Sequence, residues 1–224
     1  KIKRITDRTM IYFILAGVVL SCLHQSSLGN LMLIAPTKMN PLWYTPILGL
    51  LFLLSAIAVG FPMVIVESLY ASWSLRLKPE THLLSRLAKY IPALLGIYLA
   101  FKLGDMVIRE SYADLAITTP ATVLFIVEVL LGLALPMVLL MNAKVRSSAR
   151  WLFVSALLVV LGVALNRVNV FLVAYQPPYE IAPYFPSVGE FVVTIGLISA
   201  LILVYRIVVT YLPVIEAHEK AVAV

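Results

Sequence analysis

Six apolar runs, each long enough to cross a bilayer as a helix, dominate this sequence: residues 10–33, 45–69, 88–108, 120–141, 151–175 and 188–212. The runs are continuous rather than alternating, so they do not read as barrel strands. In hydrocarbon a backbone must satisfy its own hydrogen bonds, and each run is therefore expected to be a helix. The expected fold class is all-α, a polytopic transmembrane bundle of about six spans over residues 1–224. A composition of 62% hydrophobic and 12% charged residues excludes a soluble globule, whose surface could not be covered by so few polar groups. Little chain is left for a separate catalytic domain outside the membrane. The sequence opens Lys1-Ile2-Lys3-Arg4 without a methionine, and the first run is too long for a secretory signal and lacks its small-residue cleavage signature. The start reads as the interior of a longer protein.

The connections alternate in charge. Lys1, Lys3, Arg4 and Arg8 precede the first run, Arg76, Lys78, Arg86 and Lys89 follow the second, and Lys144, Arg146 and Arg150 follow the fourth. The other loops carry Lys38 alone, or Arg109 offset by Glu110 and Asp114, or no basic residue. Basic loops stay cytoplasmic, so both termini are expected on the cytoplasmic side. The formal net charge of +6 is a topology signal, and no basic groove interleaved with aromatics points to nucleic acid. Trp43, Tyr44, Tyr179 and Tyr184 are expected at headgroup level. Pro62, Pro92 and Pro136 are expected to kink their spans.

Ionisable groups at membrane depth cost a few kcal/mol each, so each needs a partner or a purpose. Ser21, His24, Gln25 and Leu28 fall at i, i+3, i+4 and i+7, one helix face that is expected to point into the protein. Tyr98, Lys102, Asp105 and Arg109 share a face of the third span. Glu128 lies on the fourth span, and Asn166, Arg167 and Asn169 lie on the fifth. With the orientation above, His24, Lys102, Asp105, Glu128 and Arg167 all fall in the outer half of the membrane. Glu67, near the inner end of the second span, is the acidic group placed to continue a proton route inward.

Plainer readings stand beside these. Lys102 and Arg109 can snorkel to the interface with Asp105 as a local partner, and Glu67 can be an interfacial residue at a helix end. Ser21, Gln25, Asn166 and Asn169 can simply hydrogen-bond between helices. A neutral imidazole deep in a span, beside an amide and serines, has the strongest functional reading of the set.

Cofactor ligands are scarce. Cys22 is the single cysteine, which excludes an iron–sulfur cluster held by this chain alone. A haem between two histidines of facing spans is excluded in the same way, because His24 lies in a span while His82 is in a loop and His218 in the tail. No dinucleotide or phosphate-binding glycine motif occurs.

The stretch Leu23-His24-Gln25-Ser26-Ser27-Leu28-Gly29, then Asn40-Pro41-Leu42-Trp43-Tyr44-Thr45-Pro46, closely resembles the NrfD-like family of polysulfide reductase membrane subunits, and within it the hydrogenase-2 branch. Ser55-Ala56-Ile57-Ala58 to Val66-Glu67-Ser68 continues the likeness. A second match joins Asn166-Arg167-Val168-Asn169 to Tyr184-Phe185-Pro186-Ser187-Val188-Gly189-Glu190. The resemblance implies a haem-free subunit in a prokaryotic cytoplasmic (inner) membrane. It would exchange electrons between menaquinone or ubiquinone and an external iron–sulfur subunit, itself coupled to a catalytic subunit. Longer members of the family carry further spans, so this chain is expected to be the C-terminal part of such a subunit. On that reading His24 hydrogen-bonds a quinone ring oxygen, Ser21 and Gln25 orient it, and Glu67, Lys102, Asp105, Glu128 and Arg167 are candidates for proton transfer. A transporter or proton-channel subunit, or a passive anchor, is the alternative.

Overall fold

The computed structural model describes residues 2–34, 36–74, 76, 78–117, 119–176 and 186–211, with side-chain surroundings described from Thr9 onward, Val209 excepted. The described chain is helical: α1 (Ile2–Met32), α2 (Leu48–Ser74), α3 (Thr81–Ala88), α4 (Ile91–Ile108), α5 (Pro120–Val129), α6 (Leu135–Met141), α7 (Ala143–Ser147), α8 (Ala149–Val168) and α9 (Val188–Tyr211). Two π-helical segments, Leu130–Ala134 and Asn169–Val173, carry α5 into α6 and extend α8. Six stretches are long and apolar enough to cross a membrane: Thr9–Met32, Leu48–Ser74, Thr81–Ile108, Pro120–Met141, Ala149–Val173 and Val188–Val208. The protein is a multi-pass membrane protein.

The third stretch starts well before the expected residue 88. Thr81, His82, Ser85 and Arg86 hide α3 from a hydropathy reading, although α3 buries Leu84 and Ala88 on one side. Pro92 kinks nothing: it occupies the first turn of α4, where its missing N–H costs no hydrogen bond. Pro136 does disturb its span. It cannot donate to Gly132 four residues earlier, and the Leu130–Ala134 turn widens, with Leu135 N–H reaching back to the Leu130 carbonyl. Pro62 lies inside α2.

The apolar core has two parts. Leu51, Ala58, Ile65, Leu69, Leu84, Ile91, Leu95, Leu140, Leu152 and Val159 fill the space among α2, α3, α4, α6 and α8. Met39, Leu42, Trp43, Leu48, Phe52, Met106, Phe125, Val170 and Ala174 close the other end of the bundle, here called the loop end. Between them the π turn after α5 crosses α8 at glycine. A Cβ on Gly132 would lie 2.6 Å from the Gly162 Cα, so the two backbones touch and no larger residue fits at either position. No described side chain of α9 is buried.

At the loop end, the segment between α1 and α2 is tied to the end of the fifth span. Asn40 N–H donates to the Ala174 carbonyl at 2.8 Å, and Gln176 N–H donates to the Lys38 carbonyl at 2.6 Å. The Asn40 side chain accepts from Leu42 N–H, and its carbonyl accepts from Trp43 and Tyr44 N–H, making a tight turn around Pro41. This turn corrects one expectation. Trp43 is not at headgroup level but folded inward, 3% exposed, edge-on to Phe125 with ring centroids 5.5 Å apart. Tyr44 is half-buried, and Tyr179 and Tyr184 lie outside the described residues.

Candidate functional site

Glu128, near the end of α5, is 1% exposed. A buried carboxylate is tolerated where every lone pair is met and a cation is close. Four donors meet it. Lys102 Nζ and Asn166 Nδ2 (2.8 Å) bond to Oε1, while Trp43 Nε1 (2.9 Å) and Asn169 Nδ2 (2.8 Å) bond to Oε2. The sequence explains the convergence. Asn166, in the last turn of α8, and Asn169, which opens the π segment after it, are one turn apart on one face, and Lys102 stands on the face of α4 that also carries Tyr98. The π turn beginning at Asn169, closed by Ala174 N–H on the Asn169 carbonyl at 2.7 Å, ends the α8 register where Asn169 meets Glu128.

Lys102 does not snorkel. It is 7% exposed, salt-bridged to Glu128, and its ammonium lies 4.9 Å from the Phe125 ring centre and 5.9 Å from that of Tyr98. Asp105, one turn further along α4, pairs instead with Arg109, whose Nε lies 2.7 Å from Oδ2. Arg109 also reaches the Pro41 carbonyl at 3.4 Å. For that pair the plainer reading of a local i, i+4 partnership holds. Asp105, Arg109, Lys102, Tyr98, Trp43 and Asn166 line part of a cavity of about 20 Å³, space for one water among polar groups.

Arg167 is half-buried and joins three helices. Nε donates to Gln25 Oε1 of α1 at 3.3 Å, Nη2 to Ser55 Oγ (2.8 Å) and the Phe52 carbonyl (3.3 Å) of α2, and Nη1 to Asn166 Oδ1 (2.9 Å). The guanidinium carbon lies 3.6 Å from the Phe52 ring centre. Through Asn166 the Arg167 network is continuous with that of Glu128.

The face of α1 named from sequence does not turn inward as a unit. α1 packs on α2 through Ser26, whose hydroxyl donates to the Gly49 carbonyl at 3.0 Å, and through Gly29, where a Cβ would meet the Phe52 ring at 2.8 Å. At about 100° per residue, His24 then lies on the far side of the helix, whereas Gln25 is about 40° from Gly29. Gln25 is half-buried and reaches Arg167, but His24 and Ser21 are exposed. The spacing put them on one face correctly; which face meets α2 was decided by the small residues instead.

Glu67 is also apart. It is exposed on α2, roughly 18 Å along the helix from Ser55, and no Asp, Glu, His, Lys or Arg occupies α2, α4, α6 or α8 between the two depths. The cluster therefore unites Lys102, Glu128 and Arg167 with Gln25, holds Asp105 at its edge, and leaves out His24, Ser21 and Glu67. Sequence reasoning missed Trp43, Ser55 and Phe52 as its partners. A serine seven residues inside an apolar helix was the one available signal for Ser55.

Among the described residues no three His, Cys, Asp or Glu side chains gather as metal ligands. His24 and His82, near opposite ends of the bundle, do not fit a two-histidine haem site, and His218 lies outside the described residues.

In sequence, the chain is 35% identical over 217 residues to the "Probable Ni/Fe-hydrogenase 2 b-type cytochrome subunit" of Escherichia coli (strain K12), covering 96% of this chain and 55% of that one. It is 34% identical over 227 residues to a protein of Nitratidesulfovibrio vulgaris (strain Hildenborough), covering 97% and 58% respectively. The chain thus spans little more than half the length of these relatives. No solved structure matches it. The family model described as polysulphide reductase, NrfD, matches residues 1–178, a range that holds α1 and every residue of the buried cluster, and the chain belongs to that family.

Proposed function

We propose that this chain is the quinone-reactive membrane part of a respiratory oxidoreductase, passing electrons between a menaquinone- or ubiquinone-type ring and an iron–sulfur subunit docked at the loop end. The observation that supports it is His24, an imidazole exposed at membrane depth, next in sequence to an amide that the protein holds fixed. An unpaired polar group facing hydrocarbon is unfavourable, so a ligand or a further helix belongs there. Because arginine only donates, Arg167 orients the Gln25 amide with its oxygen toward the guanidinium, leaving the Gln25 NH2 to donate elsewhere. Neutral His24 offers one ring N–H and one acceptor nitrogen, the equipment to hydrogen-bond a ring oxygen and take or give its proton. Ser21, one turn away, can fix the imidazole's tautomer.

A bound quinone supplies a couple of two electrons and two protons. Its partners at the loop end are an iron–sulfur subunit and, behind it, a catalytic subunit. Asp105, beside the one-water cavity, is the proton carrier this reading favours, with Lys102, Glu128 and Arg167 as fixed charges around it. Glu67 stands too far away for direct exchange. The basic segments Arg76–Lys89 and Lys144–Arg150 share the opposite end of the bundle, which supports cytoplasmic termini in a prokaryotic inner membrane. The test is His24→Ala in the assembled complex. Quinone turnover should collapse while artificial dyes still reduce the iron–sulfur partner; wild-type turnover in that variant would overturn the proposal.

A further inference from the structure

Arg167 is the cation of the cluster that no carboxylate contacts directly. On α2, α4, α5 and α8 at the loop end, with the residue that closes α4, there are three cations, Lys102, Arg109 and Arg167, and two carboxylates, Asp105 and Glu128. Glu128 takes Lys102 and Asp105 takes Arg109. Arg167 meets neutral acceptors alone: the oxygens of Gln25, Asn166, Ser55 and Phe52, and the face of the Phe52 ring. These satisfy N–H groups but do not cancel a charge. Ser55 lies seven residues inside α2, so the guanidinium sits roughly 10 Å below the helix end, within hydrocarbon. It cannot snorkel out, since its bonds tie it to α1, α2 and α8 at once. Lys102 and Arg167 share the one buried carboxylate, Glu128, so the cluster keeps a net positive charge, which favours a further anion within reach of its field. Outward, the guanidinium is bonded to Gln25, the neighbour of His24 in the α1 sequence.

We propose that Arg167 is a positioning residue that makes the His24 face selective for a quinone-type ring bearing an anionic oxygen over one whose oxygens are neutral. The inference rests on the quinone reading. Arg167 acts in two ways, by fixing the Gln25 amide and by setting a positive potential beside the imidazole. A lipid phosphate is a poorer match, because the cation lies below headgroup depth.

The experiment measures binding to the assembled complex in nanodiscs by calorimetry at neutral pH. The two ligands are 2-hydroxy-1,4-naphthoquinone, an anion at that pH, and neutral 2-methyl-1,4-naphthoquinone. The wild-type protein should bind the anion about tenfold more tightly. Arg167→Gln should weaken the anion more than the neutral ring, so that the preference disappears, and Arg167→Lys, which keeps the charge, should retain most of it. A wild-type protein that binds the neutral ring without preferring the anion overturns the inference and leaves the quinone reading standing. A variant weakened equally for both ligands marks Arg167 as a structural staple and also overturns it. Binding of neither ligand by the wild type overturns both readings. Should Arg167→Gln fail to fold, the wild-type ratio and Arg167→Lys decide the matter.

Discussion

Two polar regions share one depth of this bundle and are built in opposite ways. Around Glu128 every lone pair of the carboxylate is taken, its cation is in contact, and aromatic rings seal the group from lipid. Around His24 the imidazole and Ser21 are exposed, and the neighbouring Gln25 is fixed from behind. A closed network of this kind stabilises one arrangement of helices. An open one beside it can exchange a ligand without disturbing that arrangement. The two are joined by Arg167 and Asn166, so the closed region holds Gln25, the neighbour of His24 in the sequence.

The comparison breaks most visibly at Glu128. Glu128→Ala leaves Lys102 buried without its countercharge, and an orphaned member of a buried pair costs about 3–5 kcal/mol. We expect this variant to fail to accumulate, measured as folded subunit recovered in detergent. Adding Lys102→Met should restore much of the loss, because replacing both partners removes the stranded charge. A Glu128→Ala subunit as stable as wild type would mean that the region is wet rather than closed.

The next effect is steric. Gly162→Leu places a side chain where Gly132 already touches the backbone, and overpacking of a tight crossing costs about 1–3 kcal/mol. Thermal unfolding should register it, and because the crossing lies below the polar cluster the variant should lower stability without selectively affecting quinone turnover. Trp43→Phe comes third. It keeps the ring against Phe125 but withdraws one of four donors to a charged acceptor, a loss of about 1.5–3 kcal/mol at most, reduced where a water takes the vacated space.

These expectations separate what was legible in the sequence from what was not. The helices were, because hydrocarbon admits no other solution for six long apolar runs. So was the shared face of Tyr98, Lys102, Asp105 and Arg109, which follows from spacing alone. Pairing across helices was not. Lys102 could have snorkelled, and it is buried because Glu128, 26 residues away, meets it with three further donors already in place. Trp43 could have sat among headgroups, and it turns inward because the Asn40 turn is pinned to residues 174–176 on a distant part of the chain. The π turns are equally non-local in effect: Pro136 announces one, while nothing in Asn169-Val170-Phe171 announces the other. On α1 the polar stripe and the small-residue stripe compete for the inside, and the close approach at Gly29 and Ser26 wins because it brings backbone against backbone.

The smallest expected effect is the one that separates the two regions. His24→Ala should change the stability of the subunit by no more than about 0.5 kcal/mol, the range of substitutions at exposed positions without partners. Among the described residues no side chain bonds to His24, so its removal leaves no acceptor or donor unsatisfied in the bundle. Gln25 keeps its bond to Arg167, and Ser26 and Gly29 keep α1 on α2. Thermal unfolding of His24→Ala and Trp43→Phe side by side gives the decisive comparison. If the His24 variant unfolds as early as the Trp43 variant, the imidazole is bolting helices together in the assembled protein, and the open region is a second closed one. If it unfolds with wild type and still loses quinone turnover, the imidazole acts on a ligand, and what the bundle supplies to it is position and charge from behind.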